Sequence, residues 1–420
     1  MCVDSDGVQR TQGMDGAYID AIAERVGVVD LMVPVVTPQD TRTYEALRAY
    51  SHRPSRRVNV VPIPDHFDRK GGFQLRATLA RVGRQLAEIS RAMDDADLVM
   101  VFMPTYRAAL ATLLARRRRK KVLVYHGNWW ARGVRSDFRW SGWRRAMLPI
   151  YIGGAWAMER LTMLAANARL VTGSSMREAF QWLPGPTVQT PPIVQFDRER
   201  CRELKSRLPG GGPPVILHVG SMVPRKNIRT VIEALVHLRR RVPGARLVLA
   251  GGGQLEEELR EQAERKAGPG VCDFRGYVSE REEKAAMFAE ADAMVLASFS
   301  EGFPRVIYEA MAAGVPVVAS EIPEIRGGLP EGAVEFINPD DAADVARGLE
   351  RVLEPDYARS LVETGHRVAH QAFSADPVET VISLIEGLLI EGRKSGTEAL
   401  DPEMVGAGVG PKKRRFEVPH

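Results

Sequence analysis

Two carboxylates eight residues apart, Glu301 and Glu309, stand on either side of a Gly302-Phe303-Pro304 turn. An apolar run, Ala293 to Ala297, leads into the first of them. A helical stretch of small residues carries the second, and Gly314 separates it from another apolar run, Val315 to Ala319. In a parallel sheet, ligands bind at loops leaving the carboxyl ends of strands, so Glu301 falls in such a loop and Glu309 about two helical turns beyond it. Pro304 suits the first helical position, because its missing N–H would be unsatisfied there anyway. The N–H groups of Phe303, Arg305 and Val306 then form a seat for an anion such as a diphosphate, to which Pro304 cannot donate. An ionised carboxylate only accepts, and its two oxygens can take bonds from two neighbouring hydroxyls.

The stretch from Glu301 through Glu309 into Ala-Met-Ala-Ala-Gly-Val-Pro-Val-Val-Ala resembles the Glu-x7-Glu signature of the retaining glycosyltransferases of the GT-B fold, family 4. The resemblance implies an α/β protein with two Rossmann-like, doubly wound parallel-sheet domains facing a central cleft. It implies a nucleotide diphosphate sugar as donor, such as a UDP- or GDP-sugar, and a saccharide, lipid-linked or small-molecule acceptor. No metal or other cofactor is expected. Glu309 resembles the carboxylate that binds the ribose, and Glu301 the one beside the donor hexose. Gly220-Ser-Met-Val-Pro-Arg-Lys-Asn227 resembles the family loop that places a lysine, here Lys226, against the diphosphate. Positive charge preorganised there stabilises the leaving group as it gains charge.

That loop departs from the family at Ser221, where many members carry Arg. Arg225 either supplies the second cation or points into solvent. Gly276-Tyr277-Val278 resembles the base-contacting loop, a plain connecting turn being the alternative. His126, in Val-Leu-Val-Tyr-His-Gly-Asn just past an expected strand end, resembles the family's histidine near the transferred sugar. It is given no general-base role, since the usual proposal is front-face attack with the donor phosphate taking the acceptor's proton. Ser174, Ser175 and Glu159 resemble weaker landmarks, and Glu159 is read as structural. The rival function is a catalytically inactive GT-B-like protein that binds sugar nucleotides or serves as a membrane-associated partner. Within the enzyme class the nearest rival is a nucleotide-sugar epimerase or a phosphorylase on the same fold, and no motif suggests the pyridoxal-phosphate lysine site that a phosphorylase of the glycogen type needs. No Gly-x-Gly-x-x-Gly follows the early strands, which disfavours a NAD enzyme.

All six tryptophans lie between 129 and 182, four of them mixed with arginine in 129–143. Such a segment fits peripheral membrane contact through 129–152, a surface that stacks on sugar rings, or a helix burying its tryptophans. The basic run Arg116 to Lys121 has no interleaved aromatics and reads as a solvated helix end, so no nucleic acid is expected.

These residues need elements to hold them. In the C-terminal half, strands are expected at Val215–Val219, Arg246–Ala250, Val271–Phe274 and the two apolar runs around the signature. Helices are expected at Ile228–Arg240, Leu255–Lys266, Glu280–Ala289, Asp340–Leu353 and Pro377–Leu389. That alternation means a parallel, doubly wound sheet. The N-terminal half repeats it less clearly, with strands at Val28–Val36, Leu98–Phe102, Lys121–Tyr125, Leu170–Thr172 and within Pro184–Pro192. The polar opening, Met1 to Gly16, holds no strand and Gly-rich loop of the family type: either it starts late or this branch is built differently. The expected division is an acceptor-side domain over 1–207, a nucleotide-sugar domain over 208–375, a helix over 376–392 packing back on the first domain, and a disordered basic tail over 393–420.

At 420 residues the chain suits two domains of about 200. A net charge of +5 spread over that length is weak evidence for any anionic partner. Three scattered cysteines without ligand spacing point to a reducing, cytoplasmic compartment. Neither a signal segment nor a run of eighteen apolar residues is present.

Overall fold

The computed structural model describes residues 2–3, 9–10, 13–34, 52–63, 75–137, 143–191, 193, 212–278 and 281–393. The expected tail beyond 393 lies outside them, as does the boundary expected between the two domains at 207–208.

Two parallel sheets form, with mostly apolar, buried strands at their centres. Residues Cys2–Val3 and Gln9–Arg10 pair as a two-residue antiparallel ladder ahead of helix α1 (Gly13–Val26), which precedes strand β1 (Val29–Pro34). Strand β1 pairs in parallel with β2 (Val58–Ile63) as a separate two-stranded ribbon. Helix α2 (Leu75–Ala92) follows, then β3 (Leu98–Met103), α3 (Tyr106–Arg117), β4 (Lys121–His126), α4 (Trp130–Asp137) and α5 (Trp143–Ala165). Strand β5 (Ala168–Val171), α6 (Ser174–Phe180) and β6 (Thr187–Gln189) complete this half. Strands β3-β4-β5-β6 form a parallel sheet in that order. Thr105 starts α3 by accepting the Ala108 N–H at 3.0 Å, which satisfies one of the orphan donors of a helix start.

The second half alternates β7 (Val215–Val219), α7 (Ile228–Leu238), β8 (Arg246–Ala250), α8 (Glu256–Ala267), β9 (Cys272–Gly276) and α9 (Arg281–Glu290). It continues with β10 (Ala293–Leu296), α10 (Arg305–Ala312), β11 (Val317–Ser320), α11 (Pro323–Arg326), β12 (Glu335–Ile337) and α12 (Ala342–Val352). All six strands are parallel, in the order β9-β8-β7-β10-β11-β12. Alternate side chains face two apolar layers: Val215 and Leu217 with Met294 and Leu296 on one side, Ile216 with Ala293 and Val295 on the other. Helices cover both faces, as a parallel sheet requires.

Helix α13 (Pro355–Ala372) follows, opened by Pro355 in its first turn, and packs on α10. Helix α14 (Pro377–Arg393) then returns to the first half. Its Val381, Ile382, Ile385 and Leu388 join Tyr18, Ile22, Leu123, Ala168 and Leu170 in one apolar cluster.

The basic run after α3 is spent within the chain: Arg118 pairs with Asp94 and the Ser90 carbonyl, and Lys120 donates to the Asp94 carbonyl. Trp129 and Trp130 are half-buried against the first-half core. Outward-facing apolar side chains belong instead to α5, at Ile150, Tyr151, Trp156, Leu161 and Leu164. Among the described residues no helix is long and apolar enough to cross a membrane.

Arg169 is fully buried at the centre of the first half. Its guanidinium donates to four main-chain oxygens, of Met163, Ala166, Pro184 and Gly185, at 2.6 to 3.3 Å. Burial pulls its pKa to about 10, so it stays charged at neutral pH. Arg169→Met should cost about 3 kcal/mol, because several buried carbonyls lose their donor together. Urea unfolding followed by circular dichroism checks this, and a loss below about 1 kcal/mol would remove Arg169 as the organiser of this loop.

Candidate active site

The strand order of the second sheet reverses between β7 and β10: the chain winds outward through β8 and β9, then returns to build β10, β11 and β12 on the other side. The loops leaving β7 and β10 carry the chain to opposite sides of the sheet, and a crevice lies at the strand ends where these loops begin beside each other. Glu301 lies in the loop after β10. Lys226 closes the short 3-10 turn Pro224–Lys226 in the loop after β7. The structure brings the two into direct contact, Lys226 Nζ to Glu301 Oε1 at 2.6 Å, with Arg225 Nη1 3.5 Å from Glu301 Oε2. Arg225 Nη1 also lies 3.4 Å from the Ser300 carbonyl, so its charge is turned into the site.

Both Glu301 and Lys226 are buried. Burial alone would raise the Glu301 carboxyl. The charges of Lys226 and Arg225 outweigh it, with the hydrogen bond from Lys226, and hold the group below its usual 4.5.

Around this pair the loops are packed backbone on backbone. Gly220 follows β7, its N–H donating to the Ala250 carbonyl at 2.9 Å, while Ser221 beside it is exposed. Gly251, at φ +131°, sits where a Cβ would fall 2.0 Å from the Gly220 oxygen.

Glu309, on α10, is buried, and its Oε1 accepts from Lys284 Nζ of α9 at 2.6 Å. Pro304 caps α10 from outside instead of occupying its first turn, and the Arg305 N–H is already donated to the Phe303 carbonyl at 2.8 Å. The expected row of free donors is therefore one shorter, because the Phe303-Pro304 turn closes on itself. The Phe303 ring stacks on Tyr308 at 4.8 Å, Val306 is half-buried, and the Arg305 side chain reaches the Ile193 carbonyl at 3.3 Å. Tyr277 is exposed past β9, and Val278 packs against the core beneath it.

From the first half, His126 is the last residue of β4 rather than a residue beyond it, and it is fully buried. Its Nε2 lies 2.8 Å from Glu159 Oε1, which also accepts the Trp130 N–H at 2.9 Å. The carboxylate thus fixes the ring and ties the start of α4 to α5. His126 Nδ1 has no hydrogen-bond partner among the described residues. Gly127 meets the signature loop directly: a Cβ on Gly302 would lie 1.8 Å from the Gly127 oxygen. Nearby, Ser174 donates to the Gly327 carbonyl at 2.5 Å, and Arg132 pairs with Glu324.

Sequence reasoning passed over Lys284, whose charge sits in a run of ordinary helix-surface residues, and His218 of β7. Burial and the Lys226 charge pull the His218 pKa to about 4, while its hydrogen bond to Val295 and the Glu301 charge act the other way. A histidine inside an otherwise apolar strand was the one available signal.

Two parallel sheets meeting across such a crevice define the GT-B fold of glycosyltransferases. The chain superposes on sucrose-phosphate synthase of Thermosynechococcus elongatus with a TM-score of 0.65 at 18% identity, covering 90% of this chain and 92% of that one. For WaaG, a glycosyltransferase of lipopolysaccharide biosynthesis, the TM-score is 0.62 at 16% identity, covering 90% and 98%. Within that class, residues 200–368 match the family model described as glycosyl transferases group 1. A glycogen synthase of Mycobacterium tuberculosis is 30% identical over 244 residues, 57% of this chain and 56% of the relative. A GDP-mannose-dependent phosphatidylinositol monomannoside mannosyltransferase of Mycolicibacterium smegmatis is 32% identical over 274 residues, 59% and 64%. The match spans little more than half the length of these curated relatives.

The Glu301 environment sets a sign for pH dependence. A carboxyl held below its ordinary value contributes stability that is present above 4.5 and lost as pH falls through the folded-state value. The difference between wild type and Glu301→Gln should be about 3 kcal/mol and flat above pH ~5, closing under more acid conditions. Denaturant unfolding at stepped pH reads it, and a difference that grows on acidification contradicts the assignment.

Proposed function

We propose that the chain is a retaining glycosyltransferase of family 4 that moves a hexosyl unit from a nucleotide diphosphate sugar to an acceptor held by the first half. The observation that carries this reading is the gathering of Lys226, Arg225 and Glu301 at the strand-order reversal, with Glu309 on the next helix. Lys226 and Arg225 would neutralise the diphosphate as the bond between its oxygen and the sugar's anomeric carbon breaks. The acceptor oxygen would bond to that carbon from the same face, and its proton would pass to the departing phosphate oxygen. In this chemistry side-chain cations serve the role that a metal ion fills elsewhere.

Glu309, oriented by Lys284, would take the ribose hydroxyls, and Tyr277 and Val278 would border the base. The Gly220-Ser221 turn and the main chain at Phe303 and Val306 would line the phosphates. Glu301 and His126 would face the hexose from opposite sides. The relatives support a saccharide or lipid-linked acceptor: one is named for glycogen and one for a phosphatidylinositol mannoside. The structure of Anabaena HepE in complex with UDP and glucose, 18% identical at a TM-score of 0.61 and covering 93% of this chain, supports a nucleotide-sugar donor. The apolar outer face of α5, from Ile150 to Leu164, supports peripheral contact with a lipid surface that overlaps the end of 129–152 and runs beyond it.

A panel of UDP- and GDP-sugars, scored by thermal stabilisation and by slow release of free sugar, tests the reading. One donor at 100 times its dissociation constant should stabilise the protein by about 2.7 kcal/mol. Glu309→Ala should weaken that donor about tenfold or more, the order expected for a lost charge-assisted hydrogen-bond pair. Equal binding by Glu309→Ala would remove the ribose assignment. Donor binding without any sugar release or transfer would favour the inactive sugar-nucleotide-binding protein.

A further inference from the structure

We infer that His218 is a positioning residue for Lys226, giving the lysine ammonium a second acceptor when it engages the donor diphosphate. The inference rests on the function proposed above. His218 is the penultimate residue of β7, and none of its ring is exposed. Its Nδ1 lies 3.0 Å from the Val295 carbonyl of β10. A carbonyl can only accept, so Nδ1 carries the proton, and the neutral ring presents Nε2 as a pure acceptor. The ring is uncharged at neutral pH, its pKa being drawn down to about 4.

That Nε2 is buried and has no hydrogen-bond partner among the described residues. A buried acceptor without a donor is costly and calls for a reason. The reason lies at Gly220. A Cβ there would stand 3.4 Å from His218 Nε2 and 3.5 Å from Lys226 Cε. The missing side chain leaves one gap bordered by the imidazole acceptor and by the last methylene of the lysine, one bond short of the ammonium. An ammonium has three hydrogens to place. Lys226 gives one to Glu301 Oε1 at 2.6 Å. The imidazole Nε2 is a neutral acceptor across the same gap from Lys226 Cε. A diphosphate that draws Lys226 away from Glu301 leaves the ammonium short of one partner, and His218 supplies it without adding charge.

The geometry also explains why a histidine stands in a strand whose neighbours are Ile216, Leu217 and Val219. A leucine would fill the space. Only a side chain that both donates to Val295 and accepts from Lys226 does both tasks, which a glutamine can approximate.

The test is a double-mutant cycle on affinity for UDP and GDP, measured by titration calorimetry on the full chain. His218→Leu should weaken the preferred nucleotide about tenfold, and His218→Gln should recover most of that loss. In a Lys226→Met background, His218→Leu should have no further effect. If Lys226→Met does not fold, Lys226→Met with Glu301→Gln removes both charges together and serves as the background. Equal weakening by His218→Leu in both backgrounds, or no recovery by His218→Gln, would make His218 a packing residue and overturn the inference. If Lys226→Met leaves both affinities unchanged, Lys226 is not at the diphosphate; the site reading falls and this inference with it.

Discussion

The buried ion pair of Lys226 and Glu301 is the contact from which the rest of the site follows. Two charges withdrawn from water are tolerated only when their partners are close and their remaining hydrogen-bonding capacity is met. Here Arg225 adds a second positive charge beside the other oxygen of Glu301, at 3.5 Å. The pair can form only where the loops after β7 and β10 approach each other, at the reversal of strand order. Topology brings the opposite charges together, and the charges in turn fix the two loops. Gly251 lets the neighbouring loop press on the Gly220 main chain, so the crevice floor is backbone and its walls are charged side chains.

Across the crevice the first half answers with a different chemistry. His126 and Glu159 form a second buried acid–base pair, positioned by the end of β4 and the middle of α5. One pair is cation and carboxylate; the other is imidazole and carboxylate. They lie on opposite sides of a contact in which Gly302 and Gly127 meet main chain to main chain. Glycine is required at Gly302 because any side chain would occupy the neighbouring carbonyl. The most tightly drawn point between the halves is thus also the point between the two buried pairs.

Much of this was legible in the sequence, for reasons that can be named. Parallel strands buried on both faces are apolar runs, and β7, β8 and β10 each read that way. Helix α13 was passed over because its buried face is made of Ala358, Leu361, Gly365 and Ala369, too small to stand out as a stripe. Helix α1 was hidden by its polar, glycine-bearing start. Strand β12, three residues long, is too short for a periodicity. Within the site, the individual candidates could be read from short motifs, but their pairings could not. Lys284 and Glu309 are separated by 25 residues, His126 and Glu159 by 33, and His218 and Val295 by 77. No local pattern encodes a contact made by folding.

The return of α14 to the first half has a mechanical consequence. The chain passes from one half to the other between β6 and β7, and passes back between α13 and α14. With α14 packed against Tyr18, Ile22, Leu123 and Leu170, an apolar cluster as well as the chain itself binds the second half to the first. Opening the halves at the site then amounts to parting Gly302 from Gly127, Ser174 from Gly327 and Arg132 from Glu324. A molecule entering or leaving would meet these three contacts as its barrier.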